Sequence, residues 1–344
     1  MAVQANVLQT FSTIGIREDL SDVITNIMPL ETPIYSMAKK RTTGSRTPEW
    51  QRDIDADPDP TNANVEGDDI GNDATVQPQR LKNIVQLFDK VVQISTTTLA
   101  VRTAGRSNEM KFQMAKKGRE LKRDIEARVN GNYASVIGNS SKKEQMAGVK
   151  AYNTNNVDRG AGGSNGGFQT NTGLISAASD GTTRVITEDM FKTVISKVWT
   201  NSDGAEMIIC GPRMKQKIST TFSGIAALRI DSSTNPNAKV LSVGGLDLYK
   251  SDFGVHKIMP TRLGCYGTGR TRVYRPSNST EEEVVNRTVL VLTPETWTVS
   301  MLQPFKQELL AKLGHSERRM LSTELTLECA DERANGVVAD VKVA

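Results

Sequence analysis

Between Arg17 and Ile27, the residues Leu20, Val23, Ile24 and Ile27 recur at helical spacing, which predicts one short amphipathic helix. Pro29 and Pro33 follow and force extended backbone. A short helix between extended flanks has little core of its own. Residues 1–41 therefore read as an arm whose apolar stripe needs a surface elsewhere, on the same subunit or the next one. Over residues 42–104 the character changes. A polar stretch, RDIDADPDPTNANVEGDDIGNDATVQP, lies between strand-like runs, and the return run Leu81 to Thr98 sets Val85, Leu87, Val91 and Ile94 among β-branched threonines. Two strands with a long polar tip predict an extended hairpin, which needs bracing because an isolated two-stranded ribbon is marginal in water. Ser107 to Ser135 then predicts the longest helix, with Ser107 as its cap and Met110, Met114, Leu121, Ile125 and Val129 on one face. Its other faces carry Lys111, Lys116, Lys117, Arg119, Lys122, Arg123 and Arg128. At ~1.5 Å per residue the helix is roughly 40 Å long.

Residues 138–184 are poor in apolar side chains and rich in Gly, Asn and Ser, the composition of a long loop that a function or a partner must justify. From Thr187 the pattern becomes α/β. Thr187 caps a helix bearing Met190, Phe191, Val194, Ile195 and Val198. The buried strand MIIC ends at Gly211-Pro212, and a helix follows at Arg213 to Thr220. Further strands are predicted at Lys239–Leu241, Leu246–Ser251, Val255–Ile258 and Thr288–Thr293. The tail alternates, with Leu321, Thr323, Leu325, Leu327 and Cys329 on one face against Ser322, Glu324, Thr326 and Glu328 on the other. A turn at Ala330 to Asn335 leads to a final strand, Gly336 to Val343. No internal repeat is present.

Composition narrows the function more than the fold. The chain of 344 residues holds only 8 Phe, 6 Tyr and 3 Trp, which suits several thin cores completed against neighbours. A formal charge of +4, from 43 basic and 39 acidic residues, argues against a dedicated nucleic-acid binder. Cys210, Cys265 and Cys329 are widely spaced without a C-x-x-C pair, which predicts reduced, buried thiols in a cytosolic compartment. No apolar run reaches the ~18 residues of a membrane span, and no membrane partner is expected. Two histidines, His256 and His315, have no second ligand at metal spacing. Asp53, Asp55 and Asp57 match the first three ligands of a calcium loop. Pro58 then stands where the turn needs Gly, and Asn64 stands where the loop needs a bidentate Glu. These aspartates read instead as a charged face, solvated or paired with basic residues of another subunit. Gly160 and Gly162 open a phosphate-cradle pattern that Asn165 breaks. No nucleophile, base and orienter are set out together, so no catalytic residue, metal or cofactor is expected.

The stretch Thr10 to Lys40 carries T-F-x-x-x-G-x-R-E-D-L-x-D-x-I and then P-x-E-T-P, continuing through Thr47-Pro48-Glu49-Trp50-Gln51. It resembles the major capsid proteins of tailed bacteriophages. The resemblance implies an α+β chain with the tailed-phage and herpesvirus capsid fold, the Hong Kong type. Its parts would be an N-terminal arm (1–41) and an E-loop hairpin (42–104). A peripheral domain with spine helix and Gly-rich loop (105–186), an axial domain (187–295) and return strands of the peripheral domain (296–344) would follow. It further implies a homo-oligomer of hexamers and pentamers in a shell, located in the virion and assembled in the bacterial host cytoplasm. The implied partners are a separate scaffolding protein, a portal, decoration proteins and sequence-blind contact with packaged double-stranded DNA. Leu20, Val23, Ile24 and Ile27 of the arm are contact candidates between subunits, as are Trp50 and Asp53, Asp55, Asp57 and Asp59 of the hairpin. Arg119 and Arg123 of the spine helix complete the set. The competing reading is another virion component, a tail or decoration protein, which has less need of both a long hairpin and a spine helix.

Overall fold

The computed structural model describes residues 32–63, 66–67, 77–101, 108–202, 204–222, 247–264, 272–273 and 285–342. The predicted arm helix with Leu20, Val23, Ile24 and Ile27 lies outside them, as do the predicted cap Ser107 and the strand Lys239–Leu241. Pro33 is not extended here but opens a short helix, α1 (Pro33–Met37), at the first position, where a missing N–H costs nothing. The strand β1 (Lys39–Thr42) follows.

The hairpin is shorter than its sequence suggests. Its ladder is β2 (Glu49–Arg52) against β3 (Gln79–Lys82), four residues a side, with Trp50 opposite Leu81. The expected return run is broken at Asn83, a buried residue. Its amide nitrogen donates to the Tyr152 hydroxyl and the Leu327 carbonyl, and its oxygen accepts from the Ala147 N–H. Beyond that anchor the chain leaves the hairpin as β4 (Gln86–Ser95), and the threonines at its end coil into α2 (Thr96–Ala100), capped by Ser95.

The long helix α3 (Glu109–Val129) is capped by Asn108, whose side chain accepts from the Lys111 N–H. The five apolar residues expected on one face are all buried. It stops six residues before Ser135. There Asn130-Gly131-Asn132 turns the chain, with Asn130 donating to the Leu263 carbonyl and Asn132 to the Ala178 carbonyl.

Residues 138–184, expected as a loop, are packed. The helix α4 (Val149–Tyr152) is wholly buried, and β5 (Val157–Asp158), β6 (Gly167–Phe168), β7 (Ile175–Ser176) and β8 (Arg184–Val185) interrupt the turns. The glycines here serve close approach. A Cβ on Gly160 would lie 2.0 Å from the Thr182 carbonyl oxygen, and one on Gly181 would lie 2.2 Å from that of Gly160.

The α/β segment supplies α5 (Glu188–Asn201), capped by Thr187, then β9 (Met207–Cys210) and α6 (Pro212–Phe222). Strands β10 (Leu248–Ser251), β11 (Gly254–Pro260), β12 (Leu263–Gly264), β13 (Arg272–Val273) and β14 (Val289–Leu292) follow. The chain ends in a hairpin of two 14-residue strands, β15 (Trp297–Leu310) and β16 (Ser316–Cys329), then β17 (Gly336–Val338) and β18 (Val341–Lys342).

Two larger sheets organise these parts. A six-stranded sheet runs β10-β11-β9-β14-β17-β5, and a four-stranded one runs β1-β15-β16-β4. The first sheet has a core on each side. On one, Phe191, Val194, Ile195, Val198, Met214 and Ile218 of the helices pack on Ile208, Ile258, Val289 and Val291. On the other, Ile209, Leu290, Leu292 and Val337 meet Leu121, Ile125 and Val129 of α3 together with Trp297, Val299, Leu325 and Leu327.

The tail departs from expectation once more, because β17 does not return along β16. It joins the other sheet, antiparallel to β14 and parallel to β5. Asn335 directs this crossing. Its oxygen accepts from the Trp297 indole and the Thr293 N–H, and its nitrogen donates to Thr296 Oγ1 and the Asp331 carbonyl. Asp340, at φ 58°, then breaks the strand before β18 pairs with β8.

Candidate assembly surfaces

Three outward surfaces present charged or apolar side chains at the surface of the single subunit. The first is the hairpin tip. Asp53, Asp55, Asp57 and Asp59 are exposed on ladder-free backbone and make no ion pair among the described residues. The Asp59 carboxyl is held below its usual range by the Thr61 hydroxyl and N–H. Trp50 at the hairpin base is half-buried in its own subunit. Its indole N–H donates to the Cys329 carbonyl at 2.8 Å, and its ring meets Phe168 edge-on. It fixes where the hairpin leaves the body.

The second surface is the flank of α3. The acidic residues there are engaged, Glu120 by Lys117 at 2.6 Å and Asp124 by Lys90 of β4 at 2.6 Å. Lys111 and Lys122 are exposed, and Arg119 and Arg123 are half-buried beside them. The exposed edge of the helix is therefore positive.

The third was not legible in the sequence as a surface. β1 pairs with β15 only from Thr298 to Met301, so among the described residues the outer edge of β15 is unpaired from there to Leu310. Register shifts at Met301/Gln303 and Gln303/Lys306 accommodate Pro304 on that edge. Phe305, Leu309 and Leu313 are exposed at the distal end, Leu309 by 67% and Leu313 by 63%. Leu87 and Val91 of β4 are open to solvent as well. A long bare edge with apolar side chains invites pairing with another chain unless something covers it.

The buried polar groups are structural. His256 sits under β10–β11, with Nδ1 facing the Ala205 carbonyl and Nε2 accepting from the Ser251 hydroxyl. Burial pushes its pKa down, and the same Ser251 oxygen accepts from the Phe253 N–H, so the pair locks a turn. Glu126, on the buried side of α3, accepts from the Ile34 and Tyr35 N–H groups at 3.0 and 2.8 Å. This pins α1 to the long helix. Burial lifts the Glu126 carboxyl to about 7, against the pull of those two N–H groups and of Lys40. Among the described residues no group of three His, Cys, Asp or Glu is placed to hold a metal ion.

Against this geometry, the family model of the SU10 major capsid protein matches residues 4–342. The chain belongs to that family. A stretch of 113 residues is 35% identical to the major capsid protein of Escherichia phage Phieco32, covering 33% of this chain and 32% of that protein. The matched part thus spans about a third of that relative's length. Among solved structures, the capsid of a native GTA particle superposes with a TM-score of 0.57 at 9% identity, over 97% of this chain and 98% of that one. The capsid of Myoviridae Phage XM1 does so at 0.53 and 9% identity, over 98% and 99%. Likeness at such identity speaks for the fold alone. This SU10-family chain has the α+β fold of tailed-phage capsids.

Proposed function

We propose that the chain is the major head protein of a tailed phage, self-assembling through hexamers and pentamers into the shell that encloses the phage DNA. The observation that carries this reading is the outer edge of β15, which among the described residues is unpaired beyond Met301 and ends in exposed apolar side chains. Ring contacts between copies are head-to-tail, so each copy offers one surface and receives a different one. The acidic hairpin tip and the positive flank of α3, with Arg119 and Arg123, are complementary surfaces of that kind. In this reading residues 1–41 are the arm, 42–104 the E-loop, 105–186 and 296–344 the peripheral domain, and 187–295 the axial domain. A separate scaffolding protein, a portal and decoration proteins act with it. Contact with DNA is electrostatic and reads no sequence.

The test is to express the chain, fractionate it by sedimentation and image it in negative stain. Closed shells or five- and sixfold capsomers are expected. A monomer that stays monomeric at high concentration, with and without a scaffolding protein, speaks against the proposal.

A further inference from the structure

The sequence contains three Asn-Gly pairs, Asn130-Gly131, Asn165-Gly166 and Asn335-Gly336. Such a pair carries its own reaction. The glycine nitrogen, with no Cβ beside it, is open to attack the asparagine side-chain carbonyl carbon. The two atoms must first come within about 3–3.5 Å in an aligned approach. An asparagine held fast by buried hydrogen bonds does not reach that geometry.

The fold locks two of the three. Asn335 is fully buried, with its oxygen accepting from the Trp297 indole and the Thr293 N–H, and its nitrogen donating to Thr296 Oγ1 and the Asp331 carbonyl. Gly336 is set in β17 opposite Val291. Asn130 is buried as well, and its nitrogen donates to the Leu263 carbonyl at 2.6 Å. The Gly131 N–H, which would have to attack, donates to the Arg128 carbonyl at 3.2 Å.

Asn165, the residue that breaks the phosphate-cradle pattern, is placed differently. It is exposed, between Ser164, which bridges to Ser179, and β6. Its nitrogen donates to the Thr154 carbonyl at 2.8 Å, and its oxygen accepts from Arg159 Nε at 3.2 Å. Surface bonds of this kind are worth about 0.5–1.5 kcal/mol each, so the side chain leaves them readily. The Gly166 N–H makes no hydrogen bond among the described residues. Packing also demands this glycine, because a Cβ on Gly166 would lie 2.4 Å from the Ala151 carbonyl oxygen. The fold thus requires the very neighbour that makes Asn165 reactive.

We propose that Asn165 is a site of spontaneous modification, the one Asn-Gly pair of the three that converts in the folded subunit. The Gly166 nitrogen bonds to Asn165 Cγ and gives its proton to water, while the side-chain nitrogen takes up a proton and leaves as ammonia. A cyclic imide remains. Water then adds across one of its C–N bonds, hydroxyl to carbon and hydrogen to nitrogen, and leaves aspartate or isoaspartate. The new carboxylate arises beside Arg159, whose guanidinium is held near Asp180 and Asp340 at 3.6 and 3.8 Å. This inference rests on the fold and not on the shell proposal.

The test uses the full native chain as the unassembled subunit, incubated in mildly alkaline buffer and sampled over time. Peptide mass spectrometry reads aspartate plus isoaspartate at each of the three positions. Conversion at Asn165 is expected to run at least tenfold faster than at Asn130 or Asn335. In the same chain unfolded in urea, the three rates are expected to draw together. Similar rates in the folded chain, or Asn130 or Asn335 converting first, overturn the proposal. So does an equal spread of rates in the unfolded chain, which would place the selectivity in local sequence and not in the fold. Silence at Asn165 in the folded chain, over a time in which the unfolded chain converts, overturns it too.

Discussion

Asp340 shows how one residue helps organise a segment rich in glycine and polar side chains. Its carboxylate accepts from the Gly160 and Gly181 N–H groups and from the Arg287 guanidinium, and it is fully buried. Two passes of the glycine-rich segment are thereby tied to the C-terminal strand. The glycines let their backbones come close enough to share one acid. Replacing Asp340 by Ala leaves the buried Arg287 guanidinium without its carboxylate and two N–H groups without their acceptor, a loss of about 3–5 kcal/mol by analogy with broken buried pairs. Ala also tolerates the left-handed backbone less well than Asp or Asn. Asp340→Asn keeps the backbone preference and part of the hydrogen bonding, so its loss is expected to be smaller. Urea denaturation of the unassembled subunit checks the order, native above Asn above Ala.

At the scale of elements, Glu126 couples α1 to α3 in a way that pH can read. An acid whose pKa is raised by burial binds its proton more tightly folded than unfolded. Its contribution to stability therefore falls as pH rises from about 4.5, the unfolded value, to about 7. The full span is worth about 3 kcal/mol. His256, lowered by burial, acts with the opposite sign as pH falls below its ordinary 6.5. The comparison of variants, not the raw profile, is thus the measurement. Glu126→Gln keeps one acceptor for the α1 N–H groups and removes the titration. Thermal melts between pH 5 and 8 are expected to show the native protein losing stability relative to this variant. A constant difference across the range speaks against a raised Glu126. Elements are also where sequence reasoning did best and worst. The periodicity of α3 and the Thr187 cap were legible because local spacing decides them. The break at Asn83 and the crossing at Asn335 were not, because each depends on partners 60 or more and about 40 residues away respectively. The resemblance implied return strands over 296–344, but no residue pattern marked β15 itself, where Pro304 argues against a strand unless the strand is known to be an edge. The packing of residues 138–184 was masked by a composition that normally means a loop.

At the scale of the whole molecule, the arm signature located the family, but the surfaces that assembly needs emerged only from the fold. Alternation from Leu321 to Cys329 announced part of one strand of the terminal hairpin. It did not say that the outer edge of β15 stays unpaired among the described residues, which follows from β1 stopping at Thr42. In the proposed shell a neighbouring copy covers this edge, and each weak contact would recur once per subunit around closed rings. Such a shell also predicts that the distal end matters to assembly and not to folding. Leu309 and Leu313 touch little in their own subunit, and surface substitutions of that kind usually shift stability by no more than about 0.5 kcal/mol. The double variant Leu309→Glu with Leu313→Glu is therefore expected to melt as the native subunit does, while its shell yield in sedimentation falls at least tenfold. Leu309→Ala with Leu313→Ala, which removes apolar area without adding charge, is expected to fall between the two. Full shell yield from the glutamate variant would mean that no neighbour covers this end of the hairpin, and the bare edge of β15 would need another reason to exist.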